Sequence, residues 1–221
     1  MSETSGTCPA FSAKRDYSSP PLLEMNGISK HFADKEVVRS ATLSLRRGEV
    51  LCLSGPSGIG KSTLLEVMAG AARPDYGKGY ITRRAQASLM FQDDALLPWL
   101  NARDNITYIL PPRLPERTAR ATARRWLGRF GLEEGLYPAA MSGGMRRRLS
   151  LARAFAAGRE FILLDEPFAF LDGEWQAVIA EEIETHARAG AALALTSHDR
   201  SPFVRVCSRE IVIERSPVVI E

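Results

Sequence analysis

Short apolar runs and amphipathic stretches alternate along this chain, and their order is the first clue to its architecture. Residues 1–20 are rich in Ser, Thr and Pro without any period, close on Pro20-Pro21, and read as a disordered lead-in. Strand character begins at Leu22, with runs at 22–28, 37–45 and 50–54; Arg46, Arg47, Gly48 and Glu49 form a turn between the last two. A helix is expected over 61–69, where Leu64, Leu65 and Met68 share one face and Gly70 supplies the stop. Short strands return between 75 and 92, the buried one at 87–91.

The pattern then changes in kind. Pro98, Pro111, Pro112 and Pro115 interrupt it, and an Arg- and Ala-rich helix follows over 116–130 with Trp126, Leu127 and Phe130 on one side. A small helical lobe, about 93–157, is thus expected to sit inserted between β-containing parts. Beyond it come a helix near 145–157, an unbroken apolar strand at 161–164, a helix at 173–189, a strand at 191–196 and a β pair within 205–220. Strands that are apolar without alternation, separated by helices, predict an α/β fold whose sheet is mostly parallel and covered on both faces.

Composition narrows the field. With 221 residues, 45% of them hydrophobic, the chain can bury one good core with an appended subdomain. Lys and Arg outnumber Asp and Glu by only 29 to 26, and a net charge of +3 gives no footing for a nucleic-acid partner. The densest positive run, Arg146-Arg147-Arg148, reads as solvated helix surface in preference to an anion patch. No window is apolar enough to span a bilayer and the first residues lack the apolar run of a secretory signal, so a cytoplasmic chain is expected unless a partner brings it to a membrane. Cys8, Cys52 and Cys207 have neither metal-ligand spacing nor an even count, in keeping with a reducing compartment.

The sharpest chemical signal is the run Gly55, Pro56, Ser57, Gly58, Ile59, Gly60, Lys61, Ser62, Thr63 directly after the strand at 50–54. It fits G-x-x-x-x-G-K-[ST] with a strand before it and a helix after it. Glycines let the backbone turn its N–H groups toward phosphate oxygens, and the helix N-terminus adds its dipole. Lys61 would bridge the β- and γ-phosphates of a nucleotide while the Ser62 hydroxyl joins a Mg²⁺ shell. The strand at 161–164 ends in Asp165 and Glu166, carboxylates that emerge where open parallel sheets bind ligands. Asp165 would hold Mg²⁺, directly or through water, and Glu166 would polarise the attacking water. Ser142-Gly143-Gly144 opens a basic helix and makes either an ordinary N-cap or a second phosphate-binding surface, which then belongs to another chain's nucleotide.

Six motifs taken in order, GPSGIGKST at 55–63, Gln92 in FQDD, MSGGMRRRLSLARA at 141–154, FILLDEP at 161–167, FLD at 170–172 and TSHD at 196–199, closely resemble those of the ATP-binding cassette ATPases across roughly residues 22–215. The resemblance implies a P-loop nucleoside triphosphate hydrolase of the ABC ATPase type, with an antiparallel β subdomain and the helical subdomain inserted in the nucleotide-binding core of 21–221. It implies ATP and Mg²⁺ as ligands and a head-to-tail pair of subunits sandwiching two ATP molecules. By the same analogy Gln92 touches Mg²⁺ and the attacking water, and Ser142, Gly143 and Gly144 cap the γ-phosphate of the opposite subunit's ATP. Asp172 is similar to the dimer-communication aspartate, His198 to the switch histidine and Phe32 to the aromatic residue that stacks on adenine. His31 reads as incidental and His186 as structural. Two departures stand out: Met145 where the family usually has Gln, and Phe168-Ala169-Phe170 where small and polar residues are commoner.

The stretch FQDDALLPWLNARDNI resembles the importer ATPases for nitrate, sulfonates and taurine. That implies a permease whose short cytoplasmic helix docks beside the cluster Leu96, Leu97, Pro98 and Trp99, a solute-binding protein in the same system, and attachment to the cytoplasmic face of the membrane through the permease. An exporter or lipid-extracting ATPase would share every catalytic residue. A soluble cassette would need a second fused cassette, a long coiled coil or a focused basic surface, and none is visible.

Overall fold

The computed structural model describes residues 19–75, 77, 79–198 and 205–220. The expected lead-in lies almost wholly outside the described residues, as do Cys8 and the Asp199 of the TSHD motif. Strands β1 (Leu23–Phe32), β2 (Lys35–Leu45) and β4 (Tyr80–Arg83) form an antiparallel sheet in the order β2-β1-β4. Strands β3 (Val50–Ser54), β5 (Ala87–Met90), β6 (Phe161–Leu164), β7 (Ala192–Ser197) and β8 (Arg209–Val212) form the second sheet, parallel throughout, in the order β5-β6-β7-β3-β8.

The unalternated strands have the two-sided burial that their composition predicts. Val50, Cys52, Ile162, Leu164, Leu193 and Leu195 point into one core, with Leu149 and Phe155 of helix α4 (Gly143–Ala156) and Ile179 and Ile183 of helix α5 (Gly173–Arg188). Their neighbours Leu51, Leu53, Phe161, Leu163, Ala192 and Ala194 point the other way, onto Leu64, Leu65 and Met68 of helix α1 (Lys61–Ala69) and onto the antiparallel sheet. Each fully buried Leu in such a layer stabilises the fold by about 2 kcal/mol, so a polar residue within these strands would be costly on either face. Gly70 ends α1 as expected: its φ of 83° is left-handed, and its amide donates back to the carbonyls of Glu66 and Val67.

Helices α2 (Ala102–Tyr108), α3 (Glu116–Arg129) and α4 follow one another between β5 and β6. Trp126 of α3, Phe155 of α4 and His186 of α5 stack, with ring centroids 5.8 Å apart for Trp126–Phe155 and 4.8 Å for Phe155–His186. His186 also places Nδ1 2.8 Å from the Glu182 carbonyl, so its surroundings are those of a packed side chain. The sequence pattern did not reveal α2 as a helix, because Pro98 and Pro111 bracket a segment too short for a clear period. Its signals are local. Asn101 caps it by accepting from the Asp104 amide at 2.9 Å, and Asn105, wholly buried, accepts from the Leu97 amide at 2.9 Å while its NH₂ reaches the carbonyls of Leu97, Leu100 and Asn101.

One expectation is corrected. The β pair within 205–220 does not form, because its halves serve different sheets: β8 pairs with β3, whereas Val218 bridges Val38. Arg39 and Thr42 donate to the Val218 and Ile220 carbonyls, and both apolar side chains are buried between the sheets. Closing two open edges satisfies more backbone than a lone hairpin would.

Asn105→Ala should cost about 2 kcal/mol, since it strips a buried turn of its shared donor and acceptor. Urea unfolding of the two proteins checks this, and an unchanged midpoint would show that Asn105 does not hold the 97–101 turn in place.

Candidate functional site

The phosphate loop owes its shape to what its glycines avoid. A Cβ on Gly55, whose φ is 150°, would lie 2.2 Å from the Ile213 carbonyl oxygen, and one on Gly60, φ 117°, would meet Val37 at 2.8 Å. The loop is therefore pressed against the strand and edge segments behind it while Pro56, Ser57 and Gly58 stay exposed. Ile59 turns its side chain into the core between the sheets, leaving only its backbone to the loop's open face. Gly60 caps α1 without any side-chain bond, so the first N–H groups of the helix remain for a ligand. Lys61 is buried, and its Nζ donates to the carbonyls of Gly55 and Pro56, both at 2.8 Å. Ser62 and Thr63, on the first turn of α1, are half-buried.

Asp165 is buried past the end of β6, takes the Thr196 hydroxyl as donor, and sends its amide to the Met90 carbonyl at 3.0 Å. Thr196 in turn accepts from the Glu166 amide at 2.9 Å, so one hydroxyl on β7 aligns both acids. Glu166 has a left-handed backbone, φ 51°, and its Oε1 lies 3.2 Å from His198 Nδ1. Gln92, just beyond β5, lines a cavity of about 440 Å³ together with Ser62, Glu66, Phe91, Asp93, Ala95 and Asp165. A hydroxyl, an amide oxygen and a carboxylate around one cavity make the hard-oxygen donor set that Mg²⁺ takes alongside phosphate.

Phe32 ends β1 half-exposed, with Lys30 Nζ 5.1 Å from its ring centroid. His31, read as incidental, instead bonds Asp75 through both its amide (2.6 Å) and Nδ1 (2.7 Å), which fixes the strand end that carries Phe32. Ser142 caps α4 by accepting from the Met145 amide at 3.2 Å, and Asp172 caps α5 by accepting from the Trp175 amide at 3.1 Å. Neither Ser142, Gly143 nor Gly144 is among the residues that line the Ser62 cavity.

Glu66 is left out of the sequence reading and Arg147 is misplaced by it. Glu66 follows Ser62 by one helical turn and so faces the same cavity; burial, reinforced by Asp165, raises its carboxyl above the ordinary range. The spacing i, i+4 was the available signal. Arg147, expected on solvated surface, is 1% exposed and is the largest fully buried side chain among the described residues. Its neighbours do differ: Arg148 lies 4.0 Å from the Trp175 ring centroid, and Arg146 donates to the Met141 carbonyl at 2.9 Å. Burial raises the Asp94 carboxyl beside Arg147, against the pull of Arg147 and Arg146.

A family model described as ABC transporter matches residues 38–169, a span that holds the phosphate loop, Gln92, Ser142 and both acids. The chain is 40% identical over 200 residues to a taurine import ATP-binding protein of Pseudomonas aeruginosa, covering 84% of this chain and 74% of that protein. It is 36% identical over 214 residues to a sulfate/thiosulfate import ATP-binding protein of Chromobacterium violaceum, of which it spans 58% and which covers 87% of this chain. In fold it is similar to a dimeric bacterial ABC transporter cassette, with a TM-score of 0.81 at 23% identity over 90% of this chain and 97% of that one.

Burial lowers the Lys61 ammonium below its ordinary 10.5, against the opposing pull of Glu166 and Asp165. Between the depressed value and 10.5 the unfolded chain binds more protons than the folded one, so stability rises with pH across that window. Lys61→Met should flatten this rise. Urea midpoints stepped through the alkaline range for both proteins test it, and equal slopes would mean that the ammonium is not desolvated.

Proposed function

The chain belongs to the ABC transporter family as an ATP-hydrolysing subunit, and from that premise we propose that it acts in a head-to-tail pair to power import of a small solute, such as nitrate, a sulfonate or taurine, through a separate membrane permease. The observation that carries the catalytic part is the convergence of Ser62, Gln92 and Asp165 on one cavity at the phosphate loop, with the adjoining Glu166 in contact with His198. ATP would bind with its phosphates against the N–H groups of 55–63 and its adenine against Phe32. Lys61 would exchange its carbonyl partners for β- and γ-phosphate oxygens. Ser62, Gln92 and Asp165 would hold Mg²⁺, which when bound neutralises charge on the transferred phosphoryl group. Glu166 would accept a proton from the attacking water, with His198 at 3.2 Å orienting the carboxylate. Ser142, Gly143 and Gly144 would close over the γ-phosphate of the other subunit's ATP, and Asp172 would lie at the contact between subunits.

The importer reading rests on relatives whose names specify taurine, sulfate or thiosulfate, aliphatic sulfonate and Fe(3+) import, and on the surface beside Gln92. Trp99 and Tyr108, in the segment that follows Gln92, are 70% and 69% exposed. A further cavity of about 250 Å³ opens on the outer edge of β5, lined by Leu89, Phe91, Ala95, Ile109 and Arg153. The expected Leu96 to Trp99 cluster does not line that cavity, because Leu96 packs inward and Asn105 binds Leu97. A permease helix would lie in this groove. No helix among the described residues is long and apolar enough to cross a membrane, and the permease would supply membrane attachment.

Glu166→Gln should lower hydrolysis about 100-fold or more and trap an ATP-bound dimer, read by single-turnover kinetics and light scattering. A monomeric, rapidly hydrolysing variant would count heavily against this mechanism. Lys61→Ala should weaken ATP binding by at least about tenfold, from lost charge-assisted bonds. Transport is tested by pull-down of the tagged chain from native membranes in mild detergent. A co-purifying multi-span permease with a solute-binding protein supports import, and an exporter-type membrane subunit moves the function to another branch.

A further inference from the structure

We propose that Arg147 is a positioning residue for hydrolysis, locking Gln92 and Glu166 of one subunit to the helix whose N-terminus is Ser142-Gly143-Gly144. The inference rests on the ATPase reading above and adds to it a link between the two ends of the machinery.

The guanidinium sits where three segments meet. Nη1 donates to the Gln92 carbonyl at 3.0 Å, the Phe91 carbonyl at 3.3 Å and Asp94 Oδ1 at 3.2 Å, and Nη2 donates to the Glu166 carbonyl at 3.2 Å. Arg147 itself belongs to α4, little more than one turn from Ser142. A planar fork with several donors can hold separate loops in one geometry, which a point charge on a flexible stem cannot.

Two features set this contact apart from ordinary packing. Burying a guanidinium costs several kcal/mol, so an apolar side chain would stabilise a purely structural position at least as well. Nε of Arg147 adds to that cost, being buried with no acceptor. The loops it holds are also under backbone strain, since Ala95 and Glu166 take φ values of 48° and 51°. Left-handed backbone at non-glycine residues persists where the surroundings over-determine it, and it gathers at working sites. Here the surroundings are Arg147 on one side and Thr196 on the other. Any shift of α4 would therefore reach the Gln92 and Glu166 backbones through one side chain. Closure of the Ser142 end on a nucleotide would set both catalytic groups at the same moment.

The test compares wild type, Arg147→Met, Arg147→Lys, Gln92→Ala and the Arg147→Met/Gln92→Ala double variant, as full-length protein, for ATPase kcat and KM, Mg²⁺ half-saturation and hydrogen exchange. Arg147→Met should lower kcat about tenfold or more and leave the KM for ATP within about twofold, the signature of an interaction made in the transition state. It should raise the Mg²⁺ concentration for half-maximal activity and speed amide exchange in 91–95 and 166–169 while α1 stays protected. Arg147→Lys should not rescue kcat. In the Gln92→Ala background the same change should cost clearly less than it does in the wild type, because the part of its effect that passes through Gln92 is already lost and only the part through Glu166 remains.

A wild-type kcat in Arg147→Met, rescue by Lys, or a loss that multiplies fully in the double variant would each overturn the proposal. So would parallel falls in kcat, ATP affinity and thermal midpoint, which mark a structural role. Arg147→Gln, with a shorter neutral donor, serves the same comparison should the Met variant fail to fold. An inactive wild type would refute the ATPase reading itself, whereas an active wild type beside an equally active Arg147→Met refutes only this inference.

Discussion

Covering the parallel sheet on both faces is the constraint from which the rest follows. Strands β6, β7 and β3 are buried from end to end, with successive side chains feeding two different cores. Polar chemistry cannot enter such strands without large desolvation cost. It collects where they stop. Asp165, Glu166, Thr196, His198 and Gln92 are all residues at or just past C-terminal strand ends, and the phosphate loop is the turn after β3. Parallel register then matters, because Leu164 pairs with both Leu195 and Met90, which brings the tips of β5, β6 and β7 level. A shared edge is what lets a hydroxyl on β7 hold the two acids that follow β6.

That constraint also explains what the sequence disclosed. Unalternated apolar runs, glycines at fixed offsets and acids directly after a strand are local signals, and β3, α1 and β6 occur at the bounds they indicate. Features set by distant contacts left no such trace. The halves of the C-terminal segment part because two different sheets have open edges to close, and only the fold reveals those edges. Arg147 differs from Arg146 and Arg148 by position on α4, not by type, and a run of three arginines hides which of them points inward. The role of His31 is hidden for a similar reason: its partner Asp75 is remote in sequence.

The two departures from the family pattern take on physical meaning in the same way. Met145 packs against the core of α4 and its neighbours, and only its backbone serves the Ser142 cap. A thioether favours that apolar contact, whereas the usual amide would seek polar partners. Phe168 is likewise buried, filling space beside β6. Phe170 is the opposite case, 85% exposed at a φ of 63°, with its carbonyl 3.3 Å from where a Cβ on Gly144 would lie.

Gly144 is therefore under pressure from two sides. Its N–H belongs to the open first turn of α4, facing any anion that comes to the Ser142 cap, while its α-carbon faces the Phe170 carbonyl. A side chain at 144 would need that carbonyl to give by a few tenths of an ångström, and Phe170 has little backbone latitude in a left-handed conformation. The segment after Glu166 and the start of α4 thus constrain each other directly, and Arg147 ties the same two segments together one turn further in. Movement of either is bound to be felt by the other. Such stiffness between the Ser142 cap and the Glu166 carboxylate is what the proposed coupling of subunit closure to hydrolysis would require of the backbone.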